Sequence, residues 1–284
     1  MSWLTFWQSM LGVPFRLGYV GVRGVTTRYL EAGEPSAHPL VLVHGTGAHL
    51  EVFLPALPGL AQTFRVIAYD MVGHGLSDKP EEPYTTEVLS CHLVSLMETL
   101  GVERPTLLGH SLGALVAAWT AGCYPDRVAR LILVTPGAVV DDPEVLRRIR
   151  EGTLRALDRL DRESIRQRLV WLFQRPENLT EELLELRRRI YAQPGYREAA
   201  QRGMVMQEPD IRRRFAWRED WASKVRQPIL LLYSRADPAT PVEGLDLLRK
   251  WWPHMREEEL PNTGHFPMLE DPDGFVRAVL AFAA

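Results

Sequence analysis

Cysteine is almost missing from this 284-residue sequence: Cys91 and Cys123 are the only two, and neither stands in a Cys-x-x-Cys pair or a Cys/His cluster. The pattern offers neither a disulfide framework nor a zinc site, and a reduced, cytoplasmic setting is expected. An excess of one charge is also lacking, since 33 Lys+Arg against 36 Asp+Glu leave −3. Without a basic surplus no nucleic-acid partner is expected. The apolar N-terminal tract, residues 1–14, is too short for a membrane span and has neither the basic start nor the small-residue cleavage site of a signal peptide. No stable membrane insertion is expected from it. Trp3, Trp7, Met10 and Leu11 recur there at helical spacing, which predicts a short amphipathic helix packed on the body of the domain or across a homodimer, with contact to a membrane surface as the alternative. No repeat or low-complexity tract appears.

What is present is ordinary for a soluble globular chain, 46% apolar and 24% charged residues. The length suits one large α/β domain or a core domain carrying an insertion. The charge, however, is unevenly spread. Between residues 141 and 226 there are 20 basic and 16 acidic residues, a local +4, while the rest of the chain, with 13 and 20, carries −7.

Residues 19–23 and 26–32 read as a hairpin around Gly24. Residues 39–44, 64–70, 106–109, 128–135 and 228–234 are continuous apolar runs, the signature of strands buried on both faces. Helical patterns lie among them at 85–100, 112–123 and 274–282. Strand followed by helix, repeated, predicts a mostly parallel sheet with helices on both faces. From 141 to 226 this rhythm breaks into consecutive helical patterns at 143–160, 162–173, 180–191 and 196–217. The expected organisation is a core of residues 1–140 and 227–284 with an all-helical lid, 141–226, inserted beside the carboxyl ends of the strands, where open α/β sheets bind ligands.

Gly109-His-Ser-Leu-Gly113 holds Gly-x-Ser-x-Gly between a strand-like and a helix-like run. Three fixed positions would recur by chance on the order of once in ten chains of this length, so the strand–turn–helix context carries the inference. On such a sharp turn the Ser111 hydroxyl is exposed, and the two glycines remove side chains that would collide. A serine hydroxyl is a poor nucleophile, so a base must take its proton and a third group must orient that base. Asp237 follows an apolar strand run, and His265 stands in a Gly-containing loop after the last strand-like stretch. The order Ser, acid, His makes Ser111, Asp237 and His265 the candidate triad. The backbone N–H groups of Thr46, in His44-Gly-Thr-Gly47, and of Leu112 are the candidate oxyanion donors. A dinucleotide fingerprint at Gly45-x-Gly47 fails at its third position, which is Leu50.

These residues together resemble the α/β-hydrolase family from about Tyr19 to Phe282, and so imply the α/β-hydrolase fold with an inserted cap. Further phrases similar to the family are Tyr69-Asp-Met-Val-Gly-His-Gly-Leu-Ser-Asp78, where Asp70 and His74 are expected to be structural, and Ala121-Gly-Cys-Tyr-Pro-Asp-Arg-Val128. Haloalkane dehalogenases and epoxide hydrolases use Asp where this chain has Ser111. Residues 179–194 resemble the lid of the meta-cleavage-product hydrolases, which cut a carbon–carbon bond beside a ketone. That resemblance implies a substrate contact for Arg187, whose guanidinium suits a carboxylate. Phe266 and His110 are further candidate substrate contacts. The chain differs from that group in having His110 for Asn before the nucleophile, Ala114 for Gly, and Phe266 for Trp after the histidine.

The expected activity is cofactor-free, metal-free hydrolysis of small carboxylic esters with an apolar acyl part through an acyl-enzyme, extending to the carbon–carbon bond of ring-fission ketones. A lid rich in Leu, with Trp171, Phe173, Tyr191, Phe215 and Trp217, leads one to expect a mostly apolar pocket, each aromatic being expected in the lid core rather than against the substrate. A dedicated carbon–carbon hydrolase is the alternative. A perhydrolase, a cofactor-independent oxygenase and a non-enzymatic ligand receptor on the same scaffold are further readings.

Overall fold

Alternation along the buried strands decides the architecture. In the computed structural model, which describes residues 5–283, the strands are β1 (Phe15–Val22), β2 (Val25–Ala32), β3 (Pro39–Val43), β4 (Arg65–Tyr69), β5 (Thr106–His110), β6 (Arg130–Val134), β7 (Ile229–Tyr233) and β8 (Arg256–Glu259). They form one sheet in the order β1-β2-β4-β3-β5-β6-β7-β8. β2 runs antiparallel to β1 and β4, and every other pair is parallel. Leu40, Leu42, Leu108, Ile132, Leu230 and Leu232 pack into one core. Their neighbours Val41, Val43, Leu107, Leu131, Leu133 and Leu231 pack into a second core on the opposite face. Two apolar faces per strand are why these segments read as unbroken apolar runs.

The core helices follow from the same bookkeeping. α1 (Leu57–Ala61) brings Leu57 and Leu60 to the first core, while α2 (Thr86–Thr99) and α3 (Leu112–Cys123) cover the second with Leu89, Leu93, Leu115 and Val116. Thr85 caps α2 by accepting from Val88 N at 3.3 Å. Between β6 and β7 the chain forms six helices: α4 (Pro143–Arg159), α5 (Arg162–Leu169), α6 (Glu181–Tyr191), α7 (Tyr196–Met204), α8 (Pro209–Phe215) and α9 (Glu219–Ala222). Asp142, Asp161 and Thr180 cap the first three of these through their side-chain oxygens. α10 (Asp246–Trp251), α11 (Pro267–Glu270) and α12 (Pro272–Ala283) complete the chain.

Several expectations are corrected. The hairpin is longer than residues 19–32 because β1 begins at Phe15, and its turn is Arg23-Gly24, both at positive φ, as a two-residue I′ turn requires. The single helix expected over 196–217 is broken, since Pro209 cannot continue a helix and instead opens α8 after a 3-10 turn at Val205–Gln207. Residues 170–172 tighten into a 3-10 turn rather than extending α5. β8, Arg-Glu-Glu-Glu, is an edge strand with no apolar run to announce it. At the N-terminus a 3-10 helix, Phe6–Met10, buries Met10 but leaves Leu11 77% exposed, so Leu11 does not share the packed face. Trp3 lies outside the described residues.

Candidate active site

β5 ends at His110 and α3 starts at Leu112, so Ser111 alone makes the turn between them. It does so at φ +54° and ψ −118°, a backbone conformation that side-chain-bearing residues rarely adopt. The strain is held by close packing. A Cβ on Gly109 would lie 2.1 Å from the Gly113 carbonyl oxygen, and one on Gly113 would lie 2.1 Å from that of Val43. Ser111 N donates to the Val134 carbonyl at 3.0 Å, which fixes the turn against β6. The hydroxyl makes no hydrogen bond among the described residues and lies on the wall of a cavity.

Asp237 and His265 arrive from loops after β7 and β8. The fully buried Asp237 carboxylate accepts from His265 Nδ1 at 2.8 Å through Oδ2 and from Ala239 N at 2.8 Å through Oδ1. A neutral imidazole that donates from Nδ1 must carry its lone pair on Nε2, the tautomer a general base needs. His265 lines the same cavity as Ser111, with Asp237 behind it. Its backbone is clamped as well. His265 N donates to the Leu172 carbonyl at 2.7 Å, and the His265 carbonyl accepts from His110 Nε2 at 2.7 Å and from Thr135 Oγ1 at 3.0 Å. Burial pushes the His110 ring well below the usual histidine pKa, so it is neutral, and Nδ1, on the far side of the ring, has no partner. His110 therefore borders the cavity while its donor is committed to the histidine loop. Phe266 packs against it with ring centres 4.8 Å apart and also lines the cavity.

Thr46 and Leu112 face that cavity too, and neither backbone N–H donates to a protein acceptor among the described residues. The Thr46 loop is fixed from behind by buried charges. Glu51 accepts from Arg28 at 2.5 Å and from His49 at 2.8 Å, while Asp70 accepts the N–H groups of Leu50 and Leu76, each at 2.8 Å. Asp70 thus spans two loops and stands outside the cavity. Burial holds His74 neutral, with a pKa lowered to about 4, and its Nδ1 lies 3.1 Å from the Val72 carbonyl.

The cavity lies between the strand ends and the helices of residues 141–226. Arg187 of α6 reaches it with the residue only 2% exposed, donating from Nη1 to the Gly47 carbonyl while Nε has no acceptor. No carboxylate pairs with it, unlike its neighbours Arg188 and Arg189, which both bind Glu185. The apolar wall is aliphatic: Leu146, Ile149, Leu169, Leu172 and Met206. None of the five lid aromatics reaches this cavity, in keeping with the expectation that they serve the lid core. Tyr191 lines an adjoining chamber beyond Thr46 instead.

Three contributors escaped the sequence reading. Gly137, after β6, leaves open the space before Ser111, because a Cβ there would stand 3.0 Å from Ser111 Oγ and 3.2 Å from Leu112 N. A Thr-Pro-Gly phrase at a strand's carboxyl end was the available signal. Glu270 accepts from Gly264 N at 2.6 Å and Arg175 N at 3.1 Å, tying the histidine loop to the helical segment. Arg168 also lines the cavity, and nothing local in the sequence separates it from its exposed neighbours.

Residues 38–272 match the family model described as the alpha/beta hydrolase fold. The chain belongs to this hydrolase family. It is 29% identical over 279 residues to a 2-hydroxy-6-oxo-6-(2'-aminophenyl)hexa-2,4-dienoic acid hydrolase of Metapseudomonas resinovorans, spanning 93% of this chain and 89% of that one. It superposes on a meta-cleavage product hydrolase of Pseudomonas fluorescens IP01 with a TM-score of 0.82 at 26% identity, covering 94% and 97% of the two chains. A carboxylesterase of Bacillus subtilis shares the fold, with a TM-score of 0.82 at 20% identity over 98% and 95% of the chains.

Proposed function

We propose that this hydrolase cleaves acyl compounds through an acyl-enzyme on Ser111, acting on small carboxylic esters whose acyl part carries a carboxylate. Ser111 Oγ attacks the carbonyl as His265 Nε2 takes its proton, and Asp237 holds the imidazole and stabilises its cation. The oxyanion is received by the N–H groups of Thr46 and Leu112, two residues that line the cavity and whose N–H groups have no acceptor among the described residues. His265 then protonates the leaving group, and water repeats the cycle on the acyl-enzyme. No hydrogen bond joins Ser111 Oγ to His265 among the described residues, and contacts of this kind tighten in substrate complexes. Residues 141–226 act as a lid that closes the cavity over the strand ends and excludes water from it.

The observation that carries the substrate class is Arg187, a buried guanidinium with no counter-ion facing the cavity of the nucleophile. Taking such a charge out of water is costly unless a partner arrives, and a carboxylate fits its planar fork. The same observation, with the relatives named as dienoic acid and meta-cleavage product hydrolases, favours a second reading. In it the bond cut is carbon–carbon in a carboxylate-bearing dienone, after the enol has ketonised. Assaying short p-nitrophenyl esters beside a coloured dienone ring-fission product tests both. Turnover of esters alone removes the carbon–carbon reading, turnover of the dienone alone removes the ester reading, and Ser111→Ala must abolish whichever is found.

A further inference from the structure

Four arginines of the described chain are buried, and their partners divide them evenly. Arg28 is met by Glu51 and Asp70, and Arg212 by Asp141 together with the carbonyls of Ala138 and Val140. Arg168 and Arg187 have no carboxylate within ion-pair distance, and both line the cavity that holds Ser111. Arg168, on α5, is 6% exposed. Its Nε donates to Thr153 Oγ1 at 2.8 Å, and that hydroxyl in turn donates to the Ile149 carbonyl at 2.7 Å, so α4 sets the direction of the guanidinium. The Arg168 Nη1 is buried with no acceptor at all.

Burial and the nearby Arg187 charge both push the Arg168 pKa down from its usual value, yet an arginine stays protonated at neutral pH. Two like charges therefore share one low-dielectric cavity without a counter-ion. Each raises the cost of the other, and an unmatched buried charge is among the most expensive features a fold can keep. A structural role would be served by a neutral side chain of the same length. We propose that Arg168 is a second carboxylate-binding position, so that the substrate of this hydrolase is a dicarboxylate. One carboxylate lies at Arg187 and the other at Arg168, and Leu146, Ile149 and Leu169 of the same cavity wall receive the apolar chain that joins them. This deepens the reading above and rests on it for the choice of a carboxylate among anions.

Binding is measured apart from turnover, on the otherwise intact Ser111→Ala protein, by calorimetric titration with adipate and with hexanoate. Adipate differs from hexanoate by a carboxylate in place of a methyl, which a cavity without a free cation would reject. The expected result is adipate binding at least tenfold more tightly, that advantage collapsing in Arg168→Met and being partly kept in Arg168→Lys. Equal binding of the two acids, or an adipate advantage that survives Arg168→Met, overturns the dicarboxylate assignment while leaving the acyl-hydrolase reading intact. If Arg168→Met does not fold, the adipate-to-hexanoate ratio in the parent and in Arg168→Lys decides by the same criterion. Failure of the acyl-hydrolase reading would appear separately, as absence of ester and dienone turnover in the wild-type enzyme.

Discussion

At the scale of single residues, the site depends on side chains that are present and on one that is absent. Ser111→Ala should lower kcat by roughly 10⁴- to 10⁶-fold, since nucleophile and base act as one unit. Asp237→Asn keeps the shape of the site but favours the wrong imidazole tautomer, and a loss of about 10⁴-fold is expected. Single-turnover ester hydrolysis measures both, and near wild-type rates in either folded variant would refute the triad. Gly137→Ala tests the empty space. Its methyl would crowd both Ser111 Oγ and Leu112 N, so kcat should fall about 10²-fold, comparable to losing one oxyanion donor, with Tm shifted by only a few degrees. An unchanged kcat in that variant would mean that the oxyanion does not sit before Gly137.

At the scale of elements, loops bring the reacting groups together and their fixing bonds are distributed over the fold. Glu270, at the end of α11, holds Gly264 N–H next to His265 and Arg175 N–H in the helical segment. Glu270→Ala leaves the buried Gly264 N–H and the part-buried Arg175 N–H without acceptors, which should cost about 1–3 kcal/mol of stability by denaturant unfolding. Because the histidine loop loosens as well, kcat should fall further than the stability change explains, and a purely structural Glu270 would leave kcat untouched. The strands and α2, α3 and α4 were readable from the sequence because apolar period, caps and breakers all agreed there. β8 and α9 were not, since an acidic edge strand and a four-residue helix owe their form to neighbours rather than to local preference. The helix expected over 196–217 is interrupted because Pro209 has no N–H to continue the ladder.

At the scale of the whole molecule, buried histidines set the response to acid. Burial lowers the pKa values of His74 and His92 to about 4, whereas the unfolded chain holds its imidazoles near 6.5. Between those values the unfolded state binds protons that the folded state refuses. Their contribution to stability is therefore fully present above pH 6.5 and is lost as pH falls toward 4, by up to about 1.4 kcal/mol per pH unit for each histidine. Glu51, lowered to about 2 chiefly by His49 and Arg28 against the opposing effect of burial, acts in the same direction at still lower pH. Scanning Tm from pH 7 to 4.5 should show a steep fall, shallower in His92→Gln whatever that variant's Tm at pH 7. A flat profile would show that these rings protonate within the fold.

Taken alone, the sequence was enough to order most of the elements and to nominate Ser111, Asp237 and His265, because strand–turn–helix phrases and the spacing of reactive residue types are local properties of the chain. It could also nominate Arg187, by resemblance. Only the tertiary structure decided which arginines face inward unpaired. The consecutive Arg187, Arg188 and Arg189 are alike in sequence, yet the helix turns one into the cavity and leaves two to Glu185. Arg168 follows the same rule with no sequence signal at all. The charge excess between residues 141 and 226 was visible from composition, but a +4 balance cannot distinguish solvated ion pairs from buried cations awaiting an anion. That distinction belongs to burial and partner geometry, which are set by packing between segments more than a hundred residues apart, such as Arg187 against Gly47.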